Sequence, residues 1–199
     1  AGGEARAVVR EQAGVSPIGW SPDGRSVFYA VARRRTRTTW PIYRVGLTGG
    51  TTRQLIDFNL INTPSLSPDG RFILYKIAAD SFAVADTSGR HLASFALDAP
   101  EAGVTAGSPR WTPASNALVF TTLRRSRALV AISTDGLRAR VLGDSTTRNV
   151  FPTVSPDGKS VAALTSGGGQ LNVSIRPMRG GPSRVIKTSS PPFSGPISW

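Results

Sequence analysis

The sequence predicts an all-β chain assembled from a repeated four-stranded antiparallel unit, and three observations carry that expectation. Apolar residues make up 39% of the 199, enough for a packed core, and they fall in short runs. Glycine and proline are abundant, at 21 and 15 copies, which favours many short elements over a few long helices. Above all, one short motif recurs along the chain at a steady spacing.

Four segments align: Pro17-Ile18-Gly19-Trp20-Ser21-Pro22-Asp23-Gly24, Pro64-Ser65-Leu66-Ser67-Pro68-Asp69-Gly70, Pro109-Arg110-Trp111-Thr112-Pro113-Ala114-Ser115 and Pro152-Thr153-Val154-Ser155-Pro156-Asp157-Gly158. A fifth opens at Pro196-Ile197-Ser198-Trp199. The leading prolines recur about every 45 residues, the period of a four-stranded β-propeller blade. A second marker falls between them: Gly2-Gly3, Gly49-Gly50, Ser88-Gly89, Asp135-Gly136 and Gly180-Gly181 read as hairpin turns, where glycine supplies positive φ. Two independent markers sharing one period are hard to obtain by chance.

Each unit then reads as four strands. The innermost ends at Trp20, Leu66, Trp111 or Val154. Ser-Pro-Asp-Gly follows as a tight turn, because proline presets φ at its second position and glycine accepts a conformation that other residues resist. The second strand is Val27-Phe28-Tyr29, Ile73-Leu74-Tyr75, Leu118-Val119-Phe120 or Val161-Ala162-Ala163. It is apolar on both faces, as expected of a sheet covered on both sides. The third is Ile42-Tyr43-Arg44-Val45, Phe82-Ala83-Val84, Leu129-Val130-Ala131-Ile132 or Leu171-Asn172-Val173-Ser174-Ile175. The fourth follows the glycine turn, as Gln54-Leu55-Ile56, Leu92-Ala93-Ser94-Phe95, Ala139-Arg140-Val141-Leu142 or Arg184-Val185-Ile186, with Ala7-Val8-Val9 as its counterpart near the start. The third turn departs from the pattern. Ala114 and Ser115 stand where Asp and Gly are expected, and Asn116 is the residue expected to take the left-handed conformation there.

This pattern resembles the TolB-like β-propeller repeat, a relative of the WD repeat, across essentially the whole chain. The expected fold is therefore a β-propeller of four-stranded antiparallel blades. Residues 1–13 are expected to form the outer strand of a preceding blade; residues 14–59, 60–100, 101–146 and 147–190 four blades; and 191–199 the start of the next. The family's usual blade number implies a ring of six to eight blades, covalently continuous with further blades or another domain. The alternative is a small ring in which 1–13 and 196–199 complete one blade. The opening Ala1-Gly2-Gly3-Glu4-Ala5-Arg6 does not resemble a secretory signal, so the expectation is a mature or excised chain. No stretch approaches the roughly 18 apolar residues of a membrane-spanning helix.

Composition excludes several chemistries. Cysteine is absent, so there can be no disulfide, thiolate zinc site or cysteine nucleophile, and redox compartment stays open. Neither a Gly-x-Ser-x-Gly elbow nor a His-Glu-x-x-His motif occurs. His91 is the single histidine and is expected on an outer strand without a catalytic role. Asp157-Gly158-Lys159-Ser160 echoes the end of a phosphate-binding loop, but Thr153 replaces the required glycine and a strand follows in place of a helix. Asp23, Asp69 and Asp157 sit in separate blades, so they suit turn capping better than calcium, which needs six to eight converging oxygens. Asn172-Val173-Ser174 has the form of a glycosylation sequon but lies inside a strand. No cofactor, metal or catalytic residue is expected.

Charge supplies the candidate site. The net charge is +12, and every basic residue except Lys76, Lys159 and Lys187 is arginine. Arg33, Arg34, Arg35 and Arg37 fill the connection between the second and third strands of the first blade, and Arg124, Arg125 and Arg127 the same connection in the third. In a propeller these connections share one rim. The planar guanidinium fork suits carboxylates and phosphates, so these seven arginines are the expected partner-binding residues, with an acidic protein or peptide as partner. Nucleic acid is disfavoured because no aromatics interleave with them to stack bases. The competing explanation is that hairpin tips are solvated and tolerate any charge.

The expected function is a non-catalytic recognition scaffold for a protein or peptide. The resemblance implies a bacterial, extracytoplasmic (periplasmic) setting. The alternative reading is a gating or sensor propeller domain of a larger enzyme, such as a prolyl-oligopeptidase-type serine peptidase or a bacterial Ser/Thr kinase.

Overall fold

The computed structural model describes residues 7, 9, 14–31, 40–48, 51–57, 64–78, 81–96, 109–121, 128–135, 138–142, 148–167, 170–187 and 199. Among them are strands only, in four sheets. The first sheet holds β1 (Val15–Trp20), β2 (Ser26–Val31), β3 (Ile42–Gly46) and β4 (Thr52–Ile56). The second holds β5 (Ser65–Leu66), β6 (Phe72–Lys76), β7 (Ser81–Asp86) and β8 (His91–Ala96). The third holds β9 (Arg110–Trp111), β10 (Ala117–Thr121), β11 (Leu129–Ser133) and β12 (Ala139–Val141). The fourth holds β13 (Arg148–Val154), β14 (Ser160–Gly167), β15 (Gln170–Pro177) and β16 (Arg184–Lys187).

In every sheet, hydrogen-bonded neighbours are consecutive in sequence, and the registered pairs are antiparallel. This meander sends the first-to-second and third-to-fourth turns to one end of the sheet. The second-to-third connection leaves from the other end. The chain divides after Ser94 into two compact units.

The leading prolines explain where each innermost strand starts or bends. Proline has no N–H to give to a ladder. In the second and third sheets the strand begins only after Pro64 or Pro109, and is two residues long. In the first and fourth the strand runs through its proline but loses register there, between Pro17 and Gly19 and between Val150 and Thr153. Phe151, inside the second of these bulges, has φ 52°.

The second strands are buried along nearly their whole length, as the apolar runs predict. Alternation sends their side chains to two different covers. Phe28 and Ile42 pack with Ile56 against Ile73, Tyr75, Ala83 and Ala85 of the second sheet, while Tyr29, Val31 and Val45 form a separate cluster on the opposite face. In the other unit Val119, Leu129, Ala131 and Leu142 pack on Val161. The fourth strands are far more exposed: Val141 and Val185 keep more than half their surface in water. They need only one apolar face.

Candidate functional site

The seven arginines expected at the binding rim, Arg33, Arg34, Arg35, Arg37, Arg124, Arg125 and Arg127, fall at 32–39 and 122–127, outside the described residues. On the described first-to-second and third-to-fourth turns, serine hydroxyls and aspartates bond one another.

In the first of these turns Ser21 and Asp23 act as a pair. The Ser21 hydroxyl donates to Asp23 Oδ1 at 2.5 Å, Asp23 Oδ1 also accepts the Arg25 N–H at 3.0 Å, and Ser21 Oγ accepts the Ser26 N–H at 2.9 Å. Ser67 and Asp69, and Ser155 and Asp157, repeat the arrangement. Each carboxylate is thereby held below its usual range. For Asp23 and Asp157 the serine hydroxyl is the main cause and the following N–H the next. For Asp69 partial burial opposes the fall, but the Ser67 hydroxyl and Arg71 outweigh it. These aspartates cap their own turns, as the sequence suggests.

The third turn corrects one expectation. The residue in the left-handed region is Ser115, at φ 57°, and not Asn116. Ser115 occupies the glycine's place, and the turn's Ser115 N–H to Thr112 carbonyl bond at 2.9 Å matches the Gly24 to Ser21 bond, so backbone geometry selects the position whatever residue fills it. The missing aspartate is replaced from further along: Asn116 Oδ1 accepts from Thr112 Oγ1 at 2.8 Å.

This departure borders an open cleft of about 620 Å³ between the third and fourth sheets. Ala117 and Ala131 share the sheet face that lines it. Strand register identifies their counterparts in the first sheet as Ser26 and Arg44. There the Arg44 side chain occupies the space, with Nε 3.1 Å from Ser26 Oγ and its guanidinium 5.7 Å above the Phe28 ring. Two small side chains in the third sheet thus leave empty what the first sheet fills. The turns differ in the same sense. A Cβ on Gly70 would lie 2.2 Å from Pro22 Cδ, so those two turns are in hard contact, whereas a Cβ on Gly158 would lie 3.8 Å from Pro113 Cδ. Likewise a Cβ on Gly89 would meet the Leu55 carbonyl oxygen at 2.2 Å. In the other unit a side chain bridges the matching gap, as Arg140 donates from Nη2 to the Met178 carbonyl.

The rim of the cleft is charged. Arg138, Arg140 and Arg179 line it together with Asp135 and Asp157. The side chains of Arg138 and Arg179 are exposed and have no ion pair among the described residues. Asp157 is already engaged by its own turn, and Lys159 Nζ lies 3.9 Å from it. Sequence reasoning missed this site because its signal is comparative: the alanines become visible only when strand columns of different repeats are aligned.

The remaining candidates fall where expected. His91 lies exposed on β8, its ring nitrogens 3.4 Å from Tyr75 Oη and 3.2 Å from Ser94 Oγ. Lys159 and Ser160 lead into β14, not a helix, and Asn172-Val173-Ser174 lies inside β15 with Ser174 buried. Among the described residues no three His, Asp or Glu side chains converge on a common point, and no helix is long and apolar enough to cross a membrane.

No family model matches the sequence, and neither does any curated protein. Solved structures do resemble it. TolB from Acinetobacter baumannii is 25% identical with a TM-score of 0.60, over 92% of this chain and 46% of that one. A protein assigned as TolB from Agrobacterium tumefaciens is 19% identical with a TM-score of 0.57, over 92% of this chain and 65% of that one. A prolyl endopeptidase is 20% identical with a TM-score of 0.64, over 87% of this chain and 29% of that one. The chain therefore spans about half the length of the first of these structures and under a third of the peptidase. With its repeated Ser-Pro-Asp-Gly turns and four-stranded antiparallel meanders, the chain is a TolB-like β-propeller.

Proposed function

We propose that the chain is a non-catalytic recognition scaffold for a protein or peptide, with an acidic partner. The observation that carries this reading is the division of labour among its polar groups. The turn carboxylates Asp23, Asp69 and Asp157 are consumed by their own turns, so they are poorly placed to act as acids, bases or ligands. The arginines Arg138 and Arg179, by contrast, stand exposed at an open cleft. The excess of 24 basic over 12 acidic residues would draw an acidic partner in at long range. Arg33, Arg34, Arg35, Arg37, Arg124, Arg125 and Arg127 remain a second proposed contact surface on the other turn face. The TolB likeness favours an extracytoplasmic setting by fold analogy alone.

Selection from a displayed random-peptide library against the full chain tests the reading. Saturable binders enriched in Asp and Glu are expected, bound without cleavage. Recovery of no saturable binder, or turnover of the bound peptides, would overturn it. Replacing the seven loop arginines by glutamine should weaken the selected binders and flatten their salt dependence; an unchanged affinity and slope would remove that surface from the proposal.

A further inference from the structure

We propose that the cleft between the third and fourth blades is a carboxylate-binding slot, taking a glutamate or aspartate side chain of an extended acidic peptide. The inference rests on the recognition reading above and assigns it a site.

Three features support it. The first is vacancy: the slot is about 620 Å³, within the usual range for a ligand site, and Ala117 and Ala131 stand there in place of the larger Ser26 and Arg44 of the first blade. The second is charge. Arg138, Arg140 and Arg179 line it together with Asp135 and Asp157, and Asp157 shares its charge with Lys159 and its own turn. Arg140 is tied to the Met178 carbonyl, which leaves Arg138 and Arg179 free to turn toward a ligand. The third is the altered turn. Every other blade places an aspartate where the third has Ala114, and Ala114 lines the slot. Its substitution removes a further negative charge that an incoming carboxylate would otherwise meet beside Asp135 and Asp157.

The chemistry follows from these residues. The alanine face accepts the methylene stem of a glutamate, and guanidinium forks at the rim receive its carboxylate through paired charge-assisted bonds. Stacking of nucleic acid bases is not provided for, since no aromatic side chain lines the slot among the described residues.

The test uses fluorescein-labelled hexaglutamate as probe and the full chain, read by anisotropy. Wild type is expected to bind saturably, and Arg138→Gln with Arg179→Gln to weaken binding about tenfold. The double variant Ala114→Asp/Ser115→Gly restores the turn of the other blades. It should keep or raise thermal stability, because glycine relieves the positive φ, while weakening hexaglutamate to a similar degree. Retained affinity in both double variants would overturn the slot. If affinity is lost only when the seven loop arginines are replaced, the slot falls and the recognition reading stands. If wild type fails to bind the probe, the slot falls, and the recognition reading is judged by the peptide selection.

Discussion

Gly24, Gly70 and Gly158 hold the same position in the Ser-Pro-Asp-Gly turn with nearly the same φ, 65°, 65° and 69°, yet their surroundings differ. Replacing each with alanine therefore separates two costs. The first is common to all three: a Cβ at positive φ costs roughly 1–2 kcal/mol. The second depends on contact. At Gly24 nothing lies within 4 Å of the new methyl group, and at Gly158 the Pro113 ring is in ordinary contact at 3.8 Å. At Gly70 the methyl would sit 2.2 Å from Pro22 Cδ and 2.5 Å from Cγ. Because a proline ring cannot swing aside, the turns must separate, which adds about 1–3 kcal/mol of overpacking. Urea unfolding of the three variants, compared at a common slope, should give similar losses for Gly24→Ala and Gly158→Ala and a loss for Gly70→Ala larger by that increment. Equal losses at all three positions would refute the claim that the first pair of turns is closed and the second open.

Further outcomes follow from the same contacts. Ile73→Ala, fully buried in the core of the first unit, should cost about 2–5 kcal/mol in urea unfolding, against well under 1 for the half-exposed Val185→Ala. Asp86 accepts from the Ser88 hydroxyl and from Arg90, and is held down from 3.8 to about 2, with the Ser88 hydroxyl the main cause. Its folded value lies below its unfolded one, so its stabilisation is full above pH 3.8 and is lost as pH falls toward 2. An acid titration of the unfolding midpoint should be flatter in that window for Asp86→Asn than for wild type. Arg140→Met removes the bond to the Met178 carbonyl and should cost about 1 kcal/mol, with a lowered melting temperature as the readout.

Much of the fold was legible because the repeat encodes it twice, once in the Ser-Pro-Asp-Gly turns and again in the glycine hairpins. The second strands were the clearest, since burial on both faces demands unbroken apolar runs such as Val27-Phe28-Tyr29. The short β5 and β9 were less so: Pro64 and Pro109 delay pairing, while Pro17 borders a bulge and Pro152 lies within one, and nothing local in the sequence distinguishes the two responses. At the third turn a rule about residue type favoured Asn116, whereas the turn's own hydrogen bond fixed the left-handed position at Ser115. The cleft was illegible for a different reason. It is made by what Ala117 and Ala131 lack relative to another blade, so no motif marks it. Charge runs drew attention to the loop arginines, while Arg138 and Arg179, isolated in sequence, are brought to one slot only by the pairing of strands.

The most direct test of the central claim, that one blade pair carries an open arginine-rimmed slot, is a residue-resolved NMR titration of the full chain with hexaglutamate. The account predicts shift changes concentrated at Arg138, Arg179, Ala114, Ala117 and Ala139, with the closed turns around Gly24 and Gly70 unmoved. Changes confined to the loop arginines, or equal at all four turns, would contradict it.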